Sequence, residues 1–276
     1  MIEIPEARVI AAQLRQAVVG AEIREAVAAQ SPHGFAWYYG DPADYGPALR
    51  GRRVLGVRGF GNYVQLDLDD YTLAYGEGAR LRLLKAGQPR PAKHQLLIEF
   101  ADGTGLVCTV QMYAAMMAFP PGGLDDNPYY MAALEKIDPL EDAFDQAHFD
   151  GIYAAASPKL SAKALLATEQ RIPGLGNGVL QDILYHAGVH PRTAVGALDA
   201  AALGRLYDSV KQTLKEMVAL GGRNTERTLF GEPGGYETIM CAKTAGGPCP
   251  RCGAVIEKAN YLGGSVYWCP DCQPRL

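Results

Sequence analysis

The segment Leu160–Arg192 contains the stretch Ile172-Pro173-Gly174-Leu175-Gly176-Asn177-Gly178, which separates two segments of helical periodicity. Apolar residues recur at helical spacing upstream, from Leu160 to Ala167, and downstream, from Val179 to Ala187. Gly188 then stands where a helix would end. Because proline and three glycines cannot continue a helix, the sequence predicts two helices joined by a tight turn.

This turn has the composition of a phosphate-binding site. A helix that begins just after glycines presents backbone N–H groups that have no partner within the helix, and these groups attract phosphate. Asn177 lies at the predicted start of the second helix, where its side chain could cap the helix or contact a phosphate. Similar helix pairs also serve as scaffolds without a ligand, so the pattern alone leaves both interpretations open.

The amino-acid sequence of the turn resembles that of a known family. Pro-Gly-Leu-Gly-Asn, followed by a helix and by Ala187-Gly188-Val189-His190-Pro191, closely resembles the helix–two-turns–helix of the formamidopyrimidine-DNA glycosylase and endonuclease VIII family. The resemblance implies that Gly174, Gly176 and Asn177 hold phosphates beside a damaged nucleotide. It also assigns phosphate contact to Lys163 on the preceding helix.

The amino terminus extends the resemblance but departs from it at one position. Residues 1–6 read Met-Ile-Glu-Ile-Pro-Glu, where the family begins Met-Pro-Glu-Leu-Pro-Glu. In the family, the initiator Met is removed and the amine of the second residue attacks the sugar of the lesion; that position is Ile2 here. Initiator Met is usually kept before a bulky, branched residue, so we expect the amine to belong to Met1. Apolar spacing predicts a helix from about Pro5 to Val19.

Two carboxylates match the family at this end of the chain. Glu3 corresponds to the residue that shuttles protons beside the nucleophilic amine, and Glu6 matches as well. Taken without the resemblance, Glu3 is a carboxylate that stabilises a helix N-terminus. The resemblance makes Glu3 the leading catalytic candidate, with Ile2 and Glu6 beside it.

The segment from Val54 to Phe119 reads as β-strands. Short apolar or alternating runs are separated by turn residues, and Asp102-Gly103 is a hairpin signal. These features predict a two-layer antiparallel β-sandwich flanked by the first helix, as in the family. The predicted strands are Val54–Val57, Asn62–Leu68, Leu81–Leu84, Gln95–Phe100 and Gly105–Val110.

Several positions that probe DNA damage in the family carry other residues here. A phosphate-contacting lysine is replaced by Asn62, and the methionine that fills the gap left by an extruded base is replaced by Glu77. The family's wedge arginine is missing, and Met112 or Tyr113 could wedge between bases instead or simply pack in the sheet.

An aromatic run precedes the strands. The segment Ser31–Tyr39 contains His33, Phe35, Trp37 and two tyrosines. Such residues could stack on nucleobases, or they could pack against the sandwich. The sequence leaves both interpretations open.

Composition shifts divide the chain into three segments. Pro120-Pro121-Gly122-Gly123 breaks the strand pattern, so we expect a β-sandwich domain over 1–122, a helical domain over 123–240 and a finger over 241–276. Gly221–Tyr236 reads as a loop whose Thr225, Arg223 and Arg227 either line the pocket of a flipped base, as in the family, or lie in solvent. The predicted helices are Tyr129–Lys136, Asp145–Ala156, the central pair and Ala200–Leu220.

Four of the six cysteines predict a metal site. Cys249-Pro-Arg-Cys252 and Cys269-Pro-Asp-Cys272 are two Cys-x-x-Cys pairs, and such knuckles enclose one tetrahedral zinc ion. The segment between them reads as a hairpin around Gly263-Gly264, too short to fold without metal. In the family this hairpin carries a phosphate-binding arginine; the aligned residue here is Gly264, with Lys258 as a nearby basic residue.

Bulk composition limits the remaining possibilities. The 276 residues are 48% hydrophobic, which suffices for a normal core, and no run of about 18 apolar residues predicts a membrane span. We see no secretion signal and expect a cytoplasmic monomer of the bacterial type, working in the cytosol and nucleoid. The formal net charge of −4 is unfavourable for DNA binding unless positive side chains cluster locally.

These observations support an α+β protein with two alternative functions. The first is a zinc-containing DNA repair glycosylase that flips a damaged base into an interdomain cleft and has weak or absent lyase activity. Its partner would be damaged or abasic DNA, duplex or single-stranded. The second is a paralogue that binds such DNA without cutting it.

Overall fold

The computed structural model describes residues 1–276. The chain forms two compact units, and neither is continuous in sequence. Unit 1 comprises Met1–Leu134 and Gly221–Gly235, whereas unit 2 comprises Glu135–Leu220 and Tyr236–Leu276. This division differs from the three consecutive segments expected from the sequence. The loop after residue 220 belongs to unit 1, and the finger belongs to unit 2.

Unit 1 is built on one seven-stranded sheet. Its strands follow the order β1-β6-β7-β5-β4-β3, all neighbours being antiparallel, and β2 pairs parallel with β7. The predicted antiparallel fold class is confirmed, with three strands longer than the sequence suggested. The strands are β1 (Ile23–Ala28), β2 (Ala36–Tyr38), β3 (Val54–Phe60), β4 (Tyr63–Leu68), β5 (Thr72–Leu84), β6 (Leu96–Phe100) and β7 (Gly105–Phe119).

The first helix, α1 (Ile4–Val18), packs on this sheet and positions the amino-terminal carboxylates. Its apolar face, including Ile10 and Leu14, lies in the main core of unit 1. Gly59 on β3 permits the contact, since a Cβ there would lie 2.2 Å from the carbonyl oxygen of Ala7. The other helices are α2 (Tyr45–Leu49) and, at the boundary of the units, α3 (Pro128–Glu135).

Unit 2 is helical and ends in the predicted hairpin. The turn between its second and third helices is the Ile172–Gly178 stretch, and α6 ends at Gly188 in the left-handed conformation that favours glycine. No helix of the chain is long and apolar enough to cross a membrane. The elements are α4 (Gln146–Ala155), α5 (Ala162–Ala167), α6 (Val179–Ala187), α7 (Ala200–Ala219), β8 (Glu257–Tyr261) and β9 (Gly264–Trp268).

Candidate active site and zinc centre

Four cysteine sulfurs converge in unit 2. Their Sγ atoms all lie within 4.8 Å of one another. The Sγ–Sγ distance is 3.9 Å from Cys249 to Cys272 and 3.4 Å from Cys252 to Cys269. A tetrahedral zinc ion with Zn–S bonds of about 2.3 Å separates its sulfurs by about 3.8 Å. The four thiolates therefore fit one structural zinc, as their spacing predicts.

The glycine turn and Asn177 have different tasks in unit 2. Gly174 has φ of +81°, a conformation that strains any other residue. Asn177 does not cap α6, which has no side-chain cap. Its Nδ2 instead donates to the carbonyl oxygen of Ser265 on β9, at 3.0 Å. The residue thus joins the helix pair to the finger hairpin.

Gly264 stands where the family has its finger arginine, and the structure explains why a glycine fits there. A Cβ on Gly264 would lie 3.2 Å from Nδ2 of Asn177, which is closer than an ordinary contact. Glycine therefore makes room for Asn177 against β9. The amide carries two hydrogens, and Ser265 takes one of them, so the second is open to a phosphate oxygen.

Lys163 is also tied to the finger. Its side chain is only 3% exposed, and Nζ donates to the carbonyl oxygen of Tyr261 at 2.7 Å. Burial lowers the pKa of this ammonium group. Two of its three hydrogens are not used by that bond, so phosphate contact is compatible with the position. Lys258 lies exposed on β8, with Nζ 5.9 Å from the ring of Tyr267.

A buried ion cluster forms where the Gly221–Gly235 loop meets the start of α1. Arg223 donates from Nε and Nη2 to the two carboxylate oxygens of Glu6, at 3.0 and 2.7 Å. Its Nη1 lies 3.4 Å from Oε2 of Glu3. Arg223 is 2% exposed, so it does not lie in solvent, in contrast to one interpretation of the sequence. The expectation that it lines the pocket of a flipped base stays a prediction.

The cluster gives its two carboxylates different roles. Glu6 is held by a bidentate pair and also accepts the backbone N–H of Glu3, so it positions its neighbours. Glu3 makes the longer contact with the guanidinium, and its side chain also takes part in a capping box with the backbone of Glu6. Burial lowers the pKa of Arg223, but Glu3 and Glu6 outweigh this effect and raise it. Two carboxylates thus face one buried guanidinium.

The second residue is part of the core. The Ile2 side chain is buried, and its backbone N–H donates to the carbonyl oxygen of Glu77 at 2.7 Å. With Met1 present, the Ile2 nitrogen is an amide that takes part in this hydrogen bond, and the role of Ile2 at the reacting centre stays a prediction. The α-amine of Met1 forms an ion pair with Glu226. No local pattern pointed to Glu226, because the pair joins residues 225 positions apart.

A cavity of about 220 Å³ in unit 1 is lined by Met1, Glu6, Thr225 and Glu226. It adjoins a second cavity of about 360 Å³, and Arg80 and Arg227 line both. Arg82 on β5 lines the second cavity, on the same strand face as Arg80. Both β5 arginines are exposed and have no acidic partner. These arginines alternate along β5 with the apolar residues Leu81 and Leu83, a pattern that the sequence displays directly.

Three family profiles match the chain in order. The Formamidopyrimidine-DNA glycosylase N-terminal domain matches residues 1–111, and the Formamidopyrimidine-DNA glycosylase H2TH domain matches residues 136–228. The zinc finger found in FPG and IleRS matches residues 246–275. Each profile falls on the element that the resemblance predicted for it.

Individual proteins give the same result. The chain is 31% identical to formamidopyrimidine-DNA glycosylase of Methylococcus capsulatus over 84% of this chain and 86% of that protein. It is 28% identical to the Mycobacterium ulcerans enzyme of the same name, over 100% and 99%. The fold matches Lactococcus lactis Fpg in complex with abasic-site DNA, with a TM-score of 0.84 at 23% identity, covering 99% of this chain and 100% of that one. The chain belongs to the formamidopyrimidine-DNA glycosylase family.

Proposed function

We propose that this chain is a DNA repair glycosylase that removes damaged bases, with Glu3 as the proton-transferring residue. The observation that carries the proposal is the buried Glu3–Arg223–Glu6 cluster in unit 1. A sugar that loses its base develops positive charge, and carboxylates fixed beside the sugar stabilise that state. The unpartnered Arg80 and Arg82 beside the adjoining cavities supply the positive patch that DNA phosphates need.

The chemical step breaks the bond between sugar C1′ and the base nitrogen. A water molecule or the α-amine attacks C1′, and the departing base takes up a proton. Glu3 transfers protons at this centre, whereas Glu6 and Arg223 hold Glu3 in place. The substrate is DNA that carries a damaged base or an abasic site, as in the complexes of Lactococcus lactis Fpg with abasic-site DNA and with oxidised-pyrimidine DNA. The enzyme acts in the bacterial cytosol that holds the chromosome.

The lyase route should be weak in this enzyme. It requires a terminal amine placed to form a Schiff base with the sugar. The Ile2 nitrogen is engaged with Glu77, and the Met1 amine is paired with Glu226, so neither is a poised secondary amine.

The experiment measures base release and borohydride trapping on oligonucleotides with an oxidised base. We expect alkali-labile sites to accumulate in much larger amounts than trapped protein–DNA adduct. Trapping equal to base release would contradict the assignment of the amine. Absence of base release from every damaged substrate, with DNA binding retained, would support the non-catalytic alternative instead.

DNA affinity should depend on Asn177 and on salt. Replacing Asn177 by Ala removes the amide hydrogen available to phosphate, so affinity for abasic-site DNA should fall by about tenfold. Phosphate contacts release counterions, and the affinity of both proteins should therefore drop steeply between low and physiological salt. The measurement is anisotropy of labelled duplex and single-stranded DNA. Since Asn177 also joins the finger, zinc content is the control for folding, and equal affinities would refute this role.

A further inference from the structure

Four large aromatic side chains of unit 1 stand exposed around one pocket. The exposed fractions are 69% for Phe35, 65% for Trp37, 48% for Tyr113 and 60% for Tyr129. The pocket has a volume of about 390 Å³ and shares no lining residue with the cavity beside Met1. Large aromatic residues are usually buried, so a cluster left open to solvent marks a binding surface.

A carboxylate lies among these rings. Glu77 lines the pocket and has φ of +59°, a strained conformation for a residue other than glycine, beside a register shift between β5 and β7. The adjacent Gly78 is pressed against β7, because a Cβ there would lie 2.6 Å from the carbonyl oxygen of Tyr113. The backbone contact between Gly78 and Tyr113 therefore fixes the conformation of this bulge in β5.

The Glu77 carboxylate is prepared to accept hydrogen bonds. Asn62 Nδ2 donates to Oε1 at 2.8 Å, and the Tyr113 hydroxyl also donates to the carboxylate. Burial raises the pKa of Glu77, and these two hydrogen bonds oppose the rise. A carboxylate has about four acceptor positions, so two remain for a ligand.

The pocket also offers a donor. Oδ1 of Asn127 accepts the backbone N–H groups of Tyr129 and Tyr130, at 3.1 and 3.0 Å. Its Nδ2 hydrogens have no protein partner. The lining thus combines exposed ring faces, an acceptor and a donor, which are the three features that recognise a nucleobase.

We propose that this pocket binds an unpaired nucleobase of DNA, stacked on the exposed rings and donating an exocyclic amino hydrogen to Glu77. Ring stacking accepts any base, whereas a carboxylate accepts the amino group of cytosine and repels the carbonyl that thymine has in its place. The negative charge of Glu77 also repels phosphate, so the base enters rather than the backbone. The proposal rests on the DNA function above and adds a base site separate from the reacting centre.

The test compares single-stranded dC and dT oligonucleotides of equal length, titrated by anisotropy at fixed low salt. Wild type should bind dC more tightly than dT. Trp37→Ala should weaken binding of both by about tenfold or more, because it removes a stacking face. Glu77→Gln should abolish the preference for dC, since the amide offers a donor as well as an acceptor.

Two matched variants separate specific from general effects. Glu22→Gln removes one exposed negative charge of unit 1 outside the pocket, so it should raise affinity for both oligonucleotides equally and keep the preference. Phe230→Ala removes an exposed aromatic residue that does not line the pocket and should leave binding unchanged. Because Trp37 and Phe230 are both exposed, Trp37→Ala and Phe230→Ala should fold like wild type.

The outcomes distinguish this site from the proposed function. If the chain releases damaged bases but Trp37→Ala and Glu77→Gln bind both oligonucleotides like wild type, the pocket proposal is overturned and the glycosylase stands. If the variants lose binding as expected but no damaged base is released by wild type, the base site stands and the glycosylase fails. Equal binding of dC and dT by wild type overturns the role of Glu77, and a pocket that serves a protein partner would give this result.

Discussion

Replacing Glu3 by Gln is expected to slow base removal by about 10²–10⁴-fold, the usual cost of losing a positioned acid or base. Glutamine keeps the size of the side chain but cannot exchange a proton near neutral pH. The fold should survive, because the buried cluster holds two carboxylates and one guanidinium. Removing one negative charge leaves Arg223 paired with Glu6 through its two shorter contacts.

The measurement is single-turnover base release by wild type and Glu3→Gln at equal saturation. Affinity for abasic-site DNA and the thermal midpoint serve as controls, and neither should change greatly. Equal rates for the two proteins would remove Glu3 from the chemistry. A variant that unfolds would instead show that Glu3 mainly stabilises the cluster.

Loss of zinc should have the largest effect on stability. Zinc-finger peptides gain roughly 10–16 kcal/mol of apparent binding free energy from their metal near neutral pH. The hairpin β8–β9 has few buried residues of its own, so Cys269→Ala or chelation should unfold it. Because the hairpin carbonyls of Tyr261 and Ser265 hold Lys163 and Asn177, DNA affinity should fall with it.

Zinc per chain and thermal unfolding check this expectation. Cys241→Ser is the matched control, since Cys241 lies in the same unit but outside the cluster. The control should retain one zinc ion and its DNA affinity. A Cys269→Ala protein with full zinc and full stability would show that the four sulfurs do not form one site.

Local patterns were sufficient to predict most elements. The first helix was expected from about Pro5 to Val19 and spans Ile4–Val18, and the last long helix was expected over Ala200–Leu220 and spans Ala200–Ala219. The hairpin turns at Leu262-Gly263, which overlaps the predicted glycine pair Gly263-Gly264. These features depend on periodicity and turn residues within a few positions, which a sequence displays directly.

Features that depend on distant partners could not be predicted. The sequence showed Arg223 in a polar loop, but its burial requires carboxylates at the other end of the chain. Asn177 was expected at a helix cap, whereas a strand about 90 residues later provides its partner. Strand β5 continues through Gly76-Glu77-Gly78 because pairing with β7 on one side outweighs the weak strand preference of these residues.

The Arg223–Glu6 contact spans 217 residues and so fixes an order of events during synthesis. Ribosomes add about 5–20 residues per second, so α1 emerges roughly 10–40 s before Arg223 exists. During that interval Glu3 and Glu6 are present without Arg223. The Glu3–Arg223–Glu6 cluster is therefore completed late, after residues 135–220 have been made. A nascent chain that has already formed its sheet therefore still lacks this buried cluster.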